Sequence, residues 1–166
     1  RMETVTEKPT FRDSFARHRC IIPASGWYEW SAPKRPWHVQ LSDGGVMGFA
    51  GLLLRHDNQD RFVIMTSAAN GDLAAIHHRQ PLVLSSNNWR GWLTEDWRSA
   101  QTYCTVAPAF WFNWYRVGPA VGRVSEDHPD LTTPLDDLGL AGEASNPNGG
   151  RSRKRQVHGN QGELFG

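Results

Sequence analysis

With 166 residues, the chain is long enough for one domain with a sizeable core and too short for two ordinary ones. A charged fraction of 21%, an aromatic fraction of 11% and 8 tryptophans describe a globular composition, and 2 cysteines exclude a disulfide framework or a four-cysteine zinc site. The formal net charge of +1 conceals a surplus of +4 over residues 1–125, where 14 Lys or Arg face 10 Asp or Glu, so a nucleic-acid partner is allowed but not demanded.

In chain order, Lys8-Pro9-Thr10 opens a helical pattern with Thr10 as its N-cap, Phe11 and Phe15 four apart on one face, and an end near His18. From Cys20 the texture changes to short β-rich runs, Cys20 to Pro23, Gly26 to Ser31, Trp37 to Leu41, Val46 to Leu54 and Arg61 to Thr66, separated by turn residues. Ser86 to Leu93 reads as a second helix, capped by Ser85 or Ser86, with Trp89, Trp92 and Leu93 at helical spacing. The fold class expected is α+β, mostly antiparallel β in a curled sheet or barrel-like arrangement with short flanking helices. Residues 1–138 form the expected domain. Residues 139–166, rich in Gly, Asn, Ser and Arg, form an expected flexible tail. No stretch reaches the roughly 18 apolar residues of a membrane span, and the N-terminus has no apolar signal-peptide core. The expectation is a cytoplasmic, nucleoid-associated protein with no membrane partner.

Three groups of residues could carry chemistry. In Gly26-Trp27-Tyr28-Glu29-Trp30, strand alternation places Trp27 and Glu29 on one face and Tyr28 and Trp30 on the other. A carboxylate among aromatic neighbours is desolvated, which raises its pKa toward values useful in proton transfer; the bland alternative is a solvent-facing strand residue. In Ile76-His77-His78-Arg79-Gln80-Pro81, adjacent histidines point apart and lack the spacing of a zinc helix, so no metal is expected. A proton-transfer imidazole beside an anion-binding guanidinium fits His77 and Arg79, with a satisfied structural histidine as the alternative. Thr66, Ser67 and Asn70 offer hydroxyls and an amide at a strand end, with Asn70 read as a cap for the next turn. No G-x-S-x-G elbow is present, and Gly44-Gly45 reads as a hairpin turn rather than a phosphate loop.

Taken in order, Arg1-Met2-Glu3-Thr4, Phe11-Arg12, Arg19-Cys20-Ile21-Ile22-Pro23-Ala24, Gly26-Trp27-Tyr28-Glu29-Trp30, Phe49-Ala50-Gly51-Leu52, Met65-Thr66 with Asn70, and Ile76-His77-His78-Arg79-Gln80-Pro81 resemble the motif series of the SRAP (SOS response-associated peptidase) family over roughly residues 1–135. The resemblance implies a sensor of abasic sites in single-stranded DNA. It further implies that an N-terminal cysteine traps the open-chain sugar aldehyde as a thiazolidine, giving a covalent DNA-protein crosslink without a cofactor. By the same match Glu29 and His77 are the implied catalytic pair, and Arg1 and Arg79 hold phosphates. Thr66 and Trp30 line the site and the bound strand, where an aromatic ring can stack on a base.

The chain departs from that pattern in two places. The family's Cys-Gly-Arg start is absent, the chain opening on Arg1, and neither Cys20 nor Cys104 pairs a thiol with a free α-amine. The expectation is an N-terminally truncated member that does not form the thiazolidine as it stands. Gln80 also stands where the family usually has Met. In the tail, Gln161, Leu164 and Phe165 match the Gln-x-x-Leu-Phe pattern of peptides that dock in the bacterial sliding clamp, a further expected partner. The alternatives are a non-catalytic single-stranded DNA binding module and, with no supporting catalytic arrangement, a true peptidase. The leading reading requires Glu29 and His77 to converge on one sugar.

Overall fold

A computed structural model describes residues 1–33, 35–56 and 59–135, with the side chains of residues 55 and 56 outside the description. The expected tail at 139–166 and its Gln161, Leu164 and Phe165 lie outside these residues.

Helix α1 (Pro9–Arg17) leads into strand β1 (Arg19–Ala24), followed by β2 (Trp27–Ala32), β3 (Arg35–Leu41), β4 (Met47–His56) and β5 (Gln59–Ile64). Two short strands, β6 (Thr66–Ala68) and β7 (Arg79–Pro81), flank a 3-10 turn at Gly71–Ala75. They are followed by β8 (Val83–Leu84), helices α2 (Trp89–Thr94) and α3 (Trp97–Gln101), and β9 (Phe112–Arg116). The first helix is capped two residues earlier than expected: Pro9 occupies the first turn, where its missing N–H costs nothing, and Lys8 rather than Thr10 caps, without a side-chain bond. The second is shorter than expected, because Ser86–Asn88 winds as a 3-10 turn and neither serine makes a side-chain cap.

All pairing between named strands is antiparallel. Among the described residues the strands form three sheets, β1-β4-β5 with β8 also on β4, β2-β3-β9, and the β6-β7 pair, and they close no barrel. The curl comes from β4, which changes partner along one edge. Its far half pairs with β5 (Gly51 opposite Ile64) and its near half with β8 (Gly48 opposite Leu84). At the changeover, Met65 N–H donates to the Ala50 carbonyl, Ala50 N–H to Leu82, and Leu82 N–H to Met65, each at 2.8 Å. This three-way node turns the β6-β7 pair out of the main sheet.

Alternation along β4 serves two cores. Met47 and Phe49 enter the cluster between the two larger sheets, with Val39, Phe112 and Trp114, while Ala50 and Leu52 face the helices, with Phe15 and Trp92. Phe15 and Trp92 meet edge to face at 5.8 Å, and each such buried ring stabilises the fold by about 2–3 kcal/mol. Gly48 admits the Trp89 indole, which a Cβ there would approach to 2.8 Å. Arg19 ties the helix ends together: its Nε donates to the Trp92 carbonyl at 2.6 Å, one terminal nitrogen to Phe15 and Ala16 at 2.7 and 3.1 Å, and the other to Glu95. No helix among the described residues is long and apolar enough to cross a membrane.

Candidate functional site

Strand β2 is an edge of the second sheet, and its alternation sorts the aromatic segment as the sequence implies. Trp27 points into the inter-sheet core, edge-on to Phe49 at 6.0 Å and Phe112 at 5.3 Å. Tyr28 lies on the other face against His38 at 5.2 Å. Glu29 therefore shares the Trp27 face, opposite Trp37 in register, beside the core rather than in open water.

His77 reaches Glu29 from the loop between β6 and β7. After β6 the chain closes a loop in which Ala69 N–H donates to the His78 carbonyl at 3.0 Å. Inside that loop the 3-10 turn drops Leu73 and Ile76 into the inter-sheet core. With Ile76 anchored, His77 N–H donates to the Leu73 carbonyl at 3.1 Å and its ring emerges toward β2. Nδ1 of His77 lies 3.4 Å from Oε2 of Glu29 and 3.0 Å from the Arg79 carbonyl oxygen. The Arg79 N–H also lies 3.4 Å from Nδ1, so this nitrogen faces two acceptors and one donor, and Nε2 carries none of these three contacts. Burial raises the Glu29 carboxyl above its ordinary value, and the charge on a protonated His77 opposes that shift. A carboxyl and an imidazole in contact, the first raised by desolvation, can pass protons to and from a sugar held in the cleft.

Arg79 and Thr66 meet across the β6-β7 pair. One terminal nitrogen of Arg79 donates to the Thr66 carbonyl at 2.7 Å and to its hydroxyl at 3.2 Å. The same guanidinium also grips Glu3 in bidentate fashion, at 2.8 and 3.0 Å. Arg79 thus offers less of its fork to a phosphate than the sequence implies. Arg1 is exposed at the start of the turn that carries Glu3. Trp30, 42% exposed, sits on the Tyr28 face, so neighbouring strand positions direct it and Glu29 to opposite sides. Asn70 makes no side-chain cap; instead its N–H donates to Oε1 of Gln80 at 3.0 Å.

Sequence reasoning missed Gln80 and Glu3 as supports of the site. Gln80 is 2% exposed, and its Nε2 donates to the Ala107 carbonyl at 3.3 Å, so one buried amide braces the base of the His77 loop. The signal was its polarity at a strand position facing the core. Glu3 was visible only as one acidic residue in the first turn. Burial raises both thiols, Cys104 to about 11, which keeps them protonated near neutrality and unlike activated nucleophiles.

Comparison with known proteins bears on the same residues. The family model described as SOS response associated peptidase (SRAP) matches residues 1–124. The abasic site processing protein YedK of Escherichia coli is 32% identical over 146 residues, covering 81% of this chain and 66% of that protein. The abasic site processing protein YoaM of Bacillus subtilis is 35% identical over 102 residues, covering 56% of this chain and 45% of that protein. The chain therefore spans about half to two thirds of the length of these relatives. A crystal structure of a Bacteroides thetaiotaomicron protein superposes with a TM-score of 0.70 at 22% identity, over 81% of this chain and 64% of that one. A phage-related protein of Bordetella bronchiseptica gives 0.60 at 26% identity, over 70% and 61%. With the family model matched over most of its length and its fold shared by solved structures, the chain belongs to the SRAP family.

Proposed function

We propose that this chain engages abasic sites in single-stranded DNA, with Glu29 and His77 moving protons at the opened deoxyribose. The observation that carries the reading is the 3.4 Å contact between a desolvated carboxyl on β2 and an imidazole on the His77 loop. Relatives named as abasic site processing proteins supply the substrate class. Arg1 and the outer edge of Arg79 would meet phosphates, Thr66 would line the cleft, and Trp30 would stack on a neighbouring base.

The covalent step belongs to a form that carries an N-terminal cysteine. Its amine adds to the sugar aldehyde and expels water as an imine, and its thiol adds across the C=N bond to close a thiazolidine, with one water lost overall. Glu29 in its protonated form donates to the departing hydroxyl, and His77 takes the proton released by the attacking amine. Delivery by the sliding clamp through Gln161, Leu164 and Phe165 is part of the same proposal, checked by loss of clamp binding when residues 161–165 are deleted.

The test measures fluorescence anisotropy of labelled single-stranded oligonucleotides with and without one abasic site. Preference for the lesion, weakened in Glu29→Gln and His77→Ala, is the expected result. In the cysteine-bearing form, abasic DNA should yield a heat-stable shifted band that Glu29→Gln slows. Equal affinity for intact and abasic strands would instead describe a plain single-stranded DNA binding module and reject the proposal.

A further inference from the structure

We propose that Glu3 is a positioning residue of this site, holding Arg79 so that the Arg79 backbone carbonyl presents His77 to Glu29. The inference rests on the reading of Glu29 and His77 as the working pair, and it adds a residue outside that pair. Glu3 joins three segments distant in sequence. Its Oε1 accepts from the Arg79 guanidinium at 2.8 Å and from the Ala68 N–H at 3.2 Å, and its Oε2 accepts from the other terminal nitrogen of Arg79 at 3.0 Å. The N-terminal turn is thereby fastened to β6 and to the first residue of β7. That residue's carbonyl is the 3.0 Å partner of His77 Nδ1.

Charge makes the contact more than a tether. The Arg79 side chain is 16% exposed, and a guanidinium so enclosed needs a compensating charge. Glu3 provides it and stays ionised, the guanidinium drawing its carboxyl down to about 2. Removal of the carboxylate charge leaves Arg79 with an unbalanced cation two residues from His77. Without Glu3 the guanidinium keeps the Thr66 carbonyl and hydroxyl but is released toward DNA phosphates, and the Arg79 backbone loses its tie to the N-terminal turn. The groups facing the His77 ring are Glu29, Arg79 and the His78 ring at 4.4 Å, and only Arg79 is under the control of Glu3.

The test uses this chain labelled with 15N at histidine. At fixed pH, the long-range 1H-15N spectrum of wild type gives the reference positions of the two His77 ring nitrogens. In Glu3→Gln the His77 nitrogens should move from those positions, as the Arg79 backbone beside Nδ1 is released, and Glu3→Asp should restore them in part. In parallel, the salt dependence of binding to intact single-stranded DNA should steepen in Glu3→Gln by about one phosphate contact, a slope change of about 0.7, as Arg79 is released. A general loss of structure would flatten that slope, so the two effects separate positioning from folding. Arg79→Lys, which keeps the cation without the fork, should move the same His77 signals and keeps the test open if Glu3→Gln does not fold. His77 nitrogens unmoved in both Glu3→Gln and Arg79→Lys would overturn the proposal. Because the spectrum is read without DNA, a wild type with no preference for abasic strands would reject the abasic reading alone.

Discussion

Replacing Gln80 by Met restores the residue that the family resemblance places there, yet in this chain it should destabilise the fold. The two side chains have similar volume, so no cavity term arises. What is lost is an amide that is 2% exposed and bonded at both ends. The Ala107 carbonyl, which accepts from Nε2 at 3.3 Å in a buried setting, is left without that donor, at a cost of about 1–3 kcal/mol. The Asn70 N–H, which donates to Oε1 at 3.0 Å, is only partly buried and recovers some of its bond from water. Burying a thioether in place of an amide returns about 1 kcal/mol. The net expectation is a loss of about 2 kcal/mol. With a urea dependence of about 2 kcal/mol/M for a chain of this size, the unfolding midpoint should fall by about 1 M at unchanged slope. Amide exchange at Asn70 should accelerate beyond the change in global stability. A midpoint that stays or rises would show that the buried amide is not a brace and would refute the reasoning.

Two further outcomes follow from the same kind of accounting. Glu29 binds its proton more tightly in the folded than in the unfolded chain, so its contribution to stability is fully present below the ordinary value of 4.5 and is lost as pH rises through the raised folded value. Glu29→Gln should therefore be more stable than wild type at pH near 8, with the difference vanishing near pH 4; urea midpoints at the two pH values check this, and a deficit at the higher pH contradicts it. Arg19→Lys keeps the charge but cannot span the carbonyls of Phe15, Ala16, Trp92 and Glu95, and should cost about 2 kcal/mol, lowering the melting temperature by about 6–10 °C in calorimetry.

Where local pattern and tertiary environment agree, the fold was legible in the residues. β1 to β5 are short β-rich runs between strong turn signals, and their observed bounds differ from expectation by a few residues. Alternation alone assigned Trp27 and Glu29 to one face. The strands that were not foreseen, β6, β7 and β8, are two or three residues long and exist because the node at Ala50, Met65 and Leu82 pairs them. No local preference encodes a contact of that kind. β9 is five residues long in an aromatic run, its Phe112, Asn113 and Trp114 alternating between buried and half-buried, and its pairing with β3 supplies the strand. Helix α3 did carry an unused signal: Asp96 accepts from the N–H groups of Arg98 and Ser99, as an N-cap should. At the site, residue types pointed to Glu29 and His77, but not to the fate of Arg79. A guanidinium reads as a phosphate binder in sequence, and only the fold reveals that Glu3 and Thr66 already hold it.

The loop between Ala69 and His78 is pinned at its neck by a backbone bond and braced there by Gln80, while its middle is anchored through Leu73 and Ile76 and lies against Ala109. Such a handle can gain or lose residues between Asn70 and Leu73 while Leu73 and Ile76 go on seating His77. The mouth of the cleft could then widen for a bulkier neighbouring base, or narrow to refuse one, over evolutionary time while the imidazole keeps its seat.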